Sequence, residues 1–118
     1  MSLKILVSPV AYNEKVKLGN VIERFLRSPV SSTADYLIVD DGSDDGTTEM
    51  IDSYSDRGVR SIKHPKRRGV GAAIRTAIEY AMTNGYDVIV IMAGNDKDNP
   101  EEIPQLLEPI LSEGYDLV

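Results

Sequence analysis

Four short apolar runs punctuate the chain: Lys4-Ile-Leu-Val7, Tyr36-Leu-Ile-Val39, Val59-Arg-Ser-Ile62 and Val88-Ile-Val-Ile-Met92. They are rich in β-branched residues and lack the strict apolar/polar alternation of strands that are wet on one face. They are therefore predicted to be parallel strands buried on both faces. Between them, apolar residues recur at spacings of three and four. Leu18, Val21, Ile22, Phe25 and Leu26 form one stripe, and Ala73, Ile74, Ala77, Ile78, Ala81 and Met82 another. A shorter third stripe is Met50, Ile51 and Tyr54. Each predicts a helix with one face to lay on a sheet. Strand and helix alternate with crossovers long enough for right-handed βαβ units. The predicted fold is α/β: a doubly wound, mostly parallel, Rossmann-like sheet in three α/β/α layers, with residues 1–118 as a single domain.

The last part of the pattern is less regular. Asn99-Pro100-Glu101-Glu102 reads as a helix start, but Pro104 and Pro109 interrupt the stripe of Leu106, Leu107, Ile110 and Leu111, which predicts a kink or two short helices. Tyr115-Asp-Leu-Val118 reads as the beginning of a fifth strand, so the chain is expected to be the front portion of something longer. An unpaired terminal strand would be a sticky edge, and self-association through it is a further expectation.

Composition narrows the function classes. With 42% hydrophobic and 27% charged residues, the 118-residue chain is ordinary for a globular domain. Thirteen Lys+Arg against 19 Asp+Glu leave a formal charge of −6, which argues against nucleic acid as a partner. The absence of cysteine excludes disulfides and thiolate metal sites, and no apolar run approaches the roughly 18 residues of a membrane span. No secretory signal is visible.

In open parallel sheets, ligands bind outside the carboxyl ends of the strands. The unusual residues fall there: Ser8-Pro9-Val-Ala-Tyr12-Asn13-Glu14, Asp40-Asp41-Gly42-Ser43, His64-Pro-Lys66-Arg67-Arg68-Gly69-Val-Gly71, and Ala93-Gly94-Asn95-Asp96-Lys97-Asp98-Asn99-Pro100. Each loop also has a plain reading. Asn13 can cap a helix with Glu14 favouring its dipole. Asp40-Asp41-Gly42-Ser43 can be a turn, with Ser43 or Asp44 capping the next helix. Lys66-Arg67-Arg68 alone reads as a solvated loop; before Gly69-Val-Gly71 and a helix it becomes an anion cradle. No dinucleotide fingerprint or Walker sequence is present. His64, the single histidine, is assigned no catalytic role.

The conjunction is more specific than its parts. Pro9 to Glu14, Val39-Asp-Asp-Gly-Ser-Asp-Asp-Gly-Thr47, Arg68-Gly-Val-Gly-Ala-Ala-Ile74 and Asn99-Pro-Glu-Glu-Ile-Pro104 together resemble, in order, the inverting nucleotide-sugar glycosyltransferases of the GT-A fold. Within that family (family 2) the chain looks most like the dolichyl-phosphate mannose or glucose synthase type. The resemblance implies a hexosyltransferase that moves a sugar from a UDP- or GDP-sugar to an acceptor, with a polyprenyl phosphate as one such acceptor. It implies a cytoplasmic location, peripheral at the cytoplasmic face of a membrane. By position, it places Pro9, Tyr12 and Glu14 around the base and ribose, Asp40 or Asp41 at the base edge, and Arg68, Gly69 and Gly71 near the nucleotide.

Three departures accompany the resemblance. Pro-Val-Ala-Tyr has one residue more than the family's usual spacing. Aligned on Pro100, Ala93 and Asn95 stand where the family carries the acids that hold Mg²⁺ or Mn²⁺. Asp96-Lys97-Asp98 follows, shifted by three, so Asn95, Asp96 and Asp98 are the candidate metal ligands. The family's acceptor pocket and catalytic base lie beyond Val118, so no catalytic residue is named and the 118 residues alone are expected to be inactive. Two rival readings stand beside the transferase: a catalytically inactive nucleotide-binding module of the same fold, and a nucleotidyltransferase or receiver-type domain.

Overall fold

The computed structural model describes residues 3–93. The order of elements is β1 (Ile5–Ala11), α1 (Lys15–Arg27), a 3₁₀ turn (Pro29–Ser32), β2 (Asp35–Asp40), α2 (Thr47–Asp52), a 3₁₀ turn (Ser55–Arg57), β3 (Val59–Lys63), α3 (Val70–Thr83) and β4 (Val88–Ala93). The four strands form one parallel sheet in the order β3-β2-β1-β4. The fold is the predicted α/β arrangement. The predicted helix start at Asn99–Glu102, the interrupted stripe after it and the strand at Tyr115–Val118 lie outside the described residues.

Burial of the strands on both faces explains their lack of alternation. Val7, Ala11, Tyr36 and Ile38 join the core that Leu18, Ile22 and Phe25 of α1 and Ile51 of α2 complete. Leu6, Leu37, Val39 and Ile89 join a second core closed by α3. The first side is bulky, with the Phe25 and Tyr36 rings stacked at 4.0 Å between centroids. On the second side α3 presents Ala73, Ala77 and Ala81, all buried, and small side chains let a helix lie close to the sheet. α1 stops where Ser28 turns back: its N–H and Oγ both donate to the Phe25 carbonyl, at 3.0 and 2.8 Å, and Pro29 cannot continue the helix.

β1 is longer than predicted. It runs through Pro9 to Ala11, so the segment expected to begin a loop at Ser8 is strand, and Pro9 is buried opposite Met92 of β4. A proline in an inner strand is unusual because it has no N–H for the ladder. Pairing toward β2 is registered at Leu6 and Val7 and again at Val10 and Ala11, passing over Ser8 and Pro9.

The helices following β1 and β2 lie on one face and α3 on the other, so winding reverses between β1 and β4. The crevice outside the carboxyl ends at such a reversal is where this class of sheet binds ligands. At the opposite, amino end, the Tyr86 hydroxyl donates to Asp35 Oδ2 (2.6 Å), and Arg60 Nη1 donates to the Tyr86 oxygen (2.6 Å) and the Tyr80 oxygen (3.2 Å). Lys4 Nζ covers the Tyr86 ring at 4.4 Å. The outer strand β3 shows solvent Arg60, Ser61 and Lys63.

Candidate functional site

The loops after β1, β2 and β3 are knitted into one rim, and the stitches begin where the strands end. The Asp41 N–H donates to the Ala11 carbonyl (2.8 Å), and the His64 N–H donates to the Asp40 carbonyl (2.9 Å), each carrying strand pairing one step into the loops.

Asn13 joins the first loop to the second. Its N–H donates to Ser43 Oγ (3.0 Å), its Nδ2 to Asp44 Oδ1 (3.0 Å), and its Oδ1 accepts the Asp44 N–H (2.9 Å). This requires a backbone φ of 49°, the left-handed region that asparagine tolerates better than most residues. Asn13 is therefore a loop clamp and not the cap of α1; Glu14 stands at that position and makes no side-chain capping bond. Nor do Ser43 or Asp44 cap α2, which begins after Gly46. Asp45 instead accepts from the N–H of Thr47 (3.0 Å) and from its hydroxyl. The Thr47 hydroxyl bond is the largest influence on Asp45; with the N–H groups of Thr47 and Lys15 it holds that carboxyl below its ordinary value.

The paired carboxylates are both buried and both face inward. Asp40 Oδ1 accepts the Ser43 N–H (3.1 Å) and Oδ2 accepts the Thr48 hydroxyl (2.5 Å), which folds the turn back onto the end of β2. Asp41 reaches across to the third loop. Its Oδ1 accepts the Arg68 N–H (2.9 Å) and meets His64 Nδ1 (2.7 Å), while Oδ2 accepts the Gly69 N–H (2.9 Å). Burial opposes the Asp41 charge, but the Arg68 N–H, the His64 ring and the Gly69 N–H outweigh it and hold the carboxyl below its ordinary value. Two of the N–H groups expected to cradle an outside anion before α3, those of Arg68 and Gly69, are thus taken by the chain's own Asp41.

The third loop is pressed against the second at Gly42. A Cβ there would stand 2.4 Å from both the Arg67 nitrogen and the Lys66 carbonyl carbon, and φ is 78°, so only glycine fits. The Arg67 guanidinium lies 4.2 Å from the centroid of the half-buried Tyr12 ring, joining the third loop to the first.

Of the predicted site residues, Tyr12, Asp41, Arg68 and Gly69 are brought together, and Glu14 is half-buried at the start of α1. Asp40 supports the turn from behind, and Pro9 sits within β1. Gly71 lies in the first turn of α3, and among the described residues a Cβ there would meet nothing within 4 Å. Sequence reasoning missed Asn13 as a clamp, Arg67 as the partner of Tyr12, and buried His64 as a neighbour of Asp41. The fourth loop, with Asn95, Asp96 and Asp98, lies outside the described residues. Among those described, no group of three His, Cys, Asp or Glu is arranged to hold a metal, and the Asp40 and Asp41 oxygens already accept from the chain's own donors. These residues do not fit a divalent ion. No described helix is long and apolar enough to cross a membrane.

Comparison with known proteins supplies what the rim alone does not. The family described as "Glycosyl transferase family 2" matches residues 9–118. The undecaprenyl-phosphate mannosyltransferase of Micrococcus luteus is 33% identical over 110 residues, covering 92% of this chain and 44% of its own length. The polyprenol monophosphomannose synthase of Mycolicibacterium smegmatis is 31% identical, covering 91% of this chain and 41% of its own. The chain thus spans less than half the length of these curated relatives. Among solved structures, a mannosyltransferase from Pyrobaculum calidifontis, in complex with GDP-Man and Mn²⁺, aligns with a TM-score of 0.62 over 69% of this chain and 25% of its own. Its identity of 20% shows a shared fold.

Proposed function

The chain belongs to glycosyl transferase family 2, and from that premise we propose that residues 1–118 form the donor-binding domain of a transferase that takes a sugar from a nucleoside-diphosphate sugar. The observation that carries this reading is the single rim made by three loops at the carboxyl end of the sheet. Asp41, Tyr12 and Asn13 each cross from one loop to another there.

The nucleotide is assigned to the crevice beside β1. Tyr12 offers an aromatic face, Glu14 a carboxylate that can accept from ribose hydroxyls, and the bare backbone at Gly71 room for close approach. Exposed Lys66, Arg67 and Arg68 supply positive charge for a diphosphate in a chain that is otherwise acidic. Asp40 and Asp41 serve from inside, holding the loops that meet the ligand. The names of the M. luteus and M. smegmatis relatives support a polyprenyl phosphate as acceptor, and hence work at a membrane surface. A divalent ion is part of the proposal, with Asn95, Asp96 and Asp98 as its ligands.

Calorimetric titration of UDP and GDP, with Mn²⁺ and then with EDTA, tests this reading. Metal-dependent binding of one nucleotide is the expected result. Metal-independent binding would favour an inactive module of the same fold, and absence of binding to either nucleotide would overturn the assignment of this rim.

A further inference from the structure

His64 is buried at 4% exposure, and both of its ring nitrogens have partners. Nδ1 lies 2.7 Å from Asp41 Oδ1, and Nε2 lies 2.8 Å from Thr76 Oγ1. Asp41, as a carboxylate, can only accept, so Nδ1 must carry a hydrogen. The Thr76 hydroxyl lies between Nε2, at 2.8 Å, and the Ala72 carbonyl, at 3.0 Å, so the far side of the ring is anchored to the first turns of α3.

We propose that His64 is a positioning residue of the rim, its ring held between Asp41 and Thr76 so that Nδ1–H fixes the Asp41 carboxylate in the pose by which it holds the β3–α3 loop. A buried carboxylate is costly unless its oxygens are hydrogen-bonded, and the ring supplies one of the donors Asp41 needs. Asp41 takes the backbone N–H of Arg68 and not its guanidinium, so the exposed cations of that loop are not drawn inward to neutralise it. The ring meets Asp41 from within and leaves Lys66, Arg67 and Arg68 exposed. It also ties the loop to α3, since Thr76 lies in the second turn of that helix. The role in nucleotide binding rests on the function proposed above; the state of the ring and of the loop does not.

Because the chain has one histidine, its ring signals are unambiguous. Nitrogen NMR of the 118-residue chain without nucleotide should show Nδ1 carrying a hydrogen; a bare Nδ1 would overturn the contact to Asp41. Amide hydrogen exchange then reads the loop. His64→Phe should speed exchange at Arg68 and Gly69 by about tenfold, in line with loss of a hydrogen bond to a charged group. His64→Gln, whose amide can donate to Asp41, should restore most of the protection. Thr76→Val is close in shape and keeps the fold if His64→Phe does not; it should give a smaller acceleration. Wild-type protection in folded His64→Phe, or in Thr76→Val should His64→Phe not fold, would overturn the positioning role. UDP and GDP titrated into the same variants should bind about tenfold more weakly to His64→Phe than to wild type. If wild type binds neither nucleotide, the functional reading falls, while the ring and amide measurements still decide the role of His64.

Discussion

At each end of the sheet a carboxylate gathers donors from elements far apart in the chain, but the two gatherings are built from different materials. At the carboxyl end, Asp41 is 3% exposed and accepts from two backbone N–H groups and a buried imidazole. At the amino end, the Asp35 side chain is 42% exposed and accepts from a phenol, with a guanidinium that is itself 48% exposed at 3.5 Å. Backbone donors cannot swing away, so the first arrangement fixes the path of a loop; at the amino end Tyr86 is buried, but the Arg60 guanidinium and the Asp35 carboxylate stand in water and can exchange each other for solvent. A surface pair of that kind contributes about 1 kcal/mol or less. The carboxyl-end rim is thus the more firmly held of the two, by desolvated polar contacts.

Substitutions at the two ends should separate them clearly. The largest effect is expected for Asp41→Ala, which leaves two loop N–H groups and the His64 ring without an acceptor; a cost of about 3–5 kcal/mol should appear in urea unfolding. Next is Gly42→Ala, where the left-handed φ and the 2.4 Å approach of the Lys66–Arg67 backbone act together. A loss of about 2 kcal/mol or more is expected, with changed amide shifts confined to the second and third loops. The two ends should also fail at opposite extremes of pH. The folded chain holds Asp41 below its ordinary 3.8, so its contribution is complete above that value and is lost as pH falls through the folded-state value. Burial, joined by the hydrogen bond to Asp35, pushes the Tyr86 hydroxyl from 10.0 up to about 12, so its contribution is complete below pH 10 and is lost as pH rises toward 12. Thermal melts across pH should show both limbs; Asp41→Asn should flatten the acid one and Tyr86→Phe the alkaline one. The smallest effect is expected for Arg60→Met, within about 1 kcal/mol in the same urea assay. A loss at Arg60 as large as that at Asp41 would erase the distinction between the ends.

The rim itself was legible in the sequence because period and punctuation reveal where strands end, and the unusual residues fall at those points. The partners within it were not. Arg68 and Gly69 read as a cradle for an outside anion, and the pair Asp40-Asp41 reads as ligand-facing. That one closes on the other depends on a contact spanning 27 residues, which no local pattern encodes. His64 looked idle because a single histidine carries no spacing signal; only burial and its two neighbours give it a role. Pro9 misled in the other direction, since proline usually marks the end of a strand, whereas here the ladder toward β2 passes over it and the strand continues.

The outer strand β3 has a consequence for how the protein behaves in a crowded solution. Among the described residues its outer edge is unpaired; such an edge can template a foreign strand, and the surest deterrent is charge that must be desolvated before another backbone can dock. Arg60 and Lys63 stand on that strand, exposed. The guanidinium that adds so little to folding therefore has a second occupation: with the nearby lysine, it makes fibre growth from this edge unfavourable.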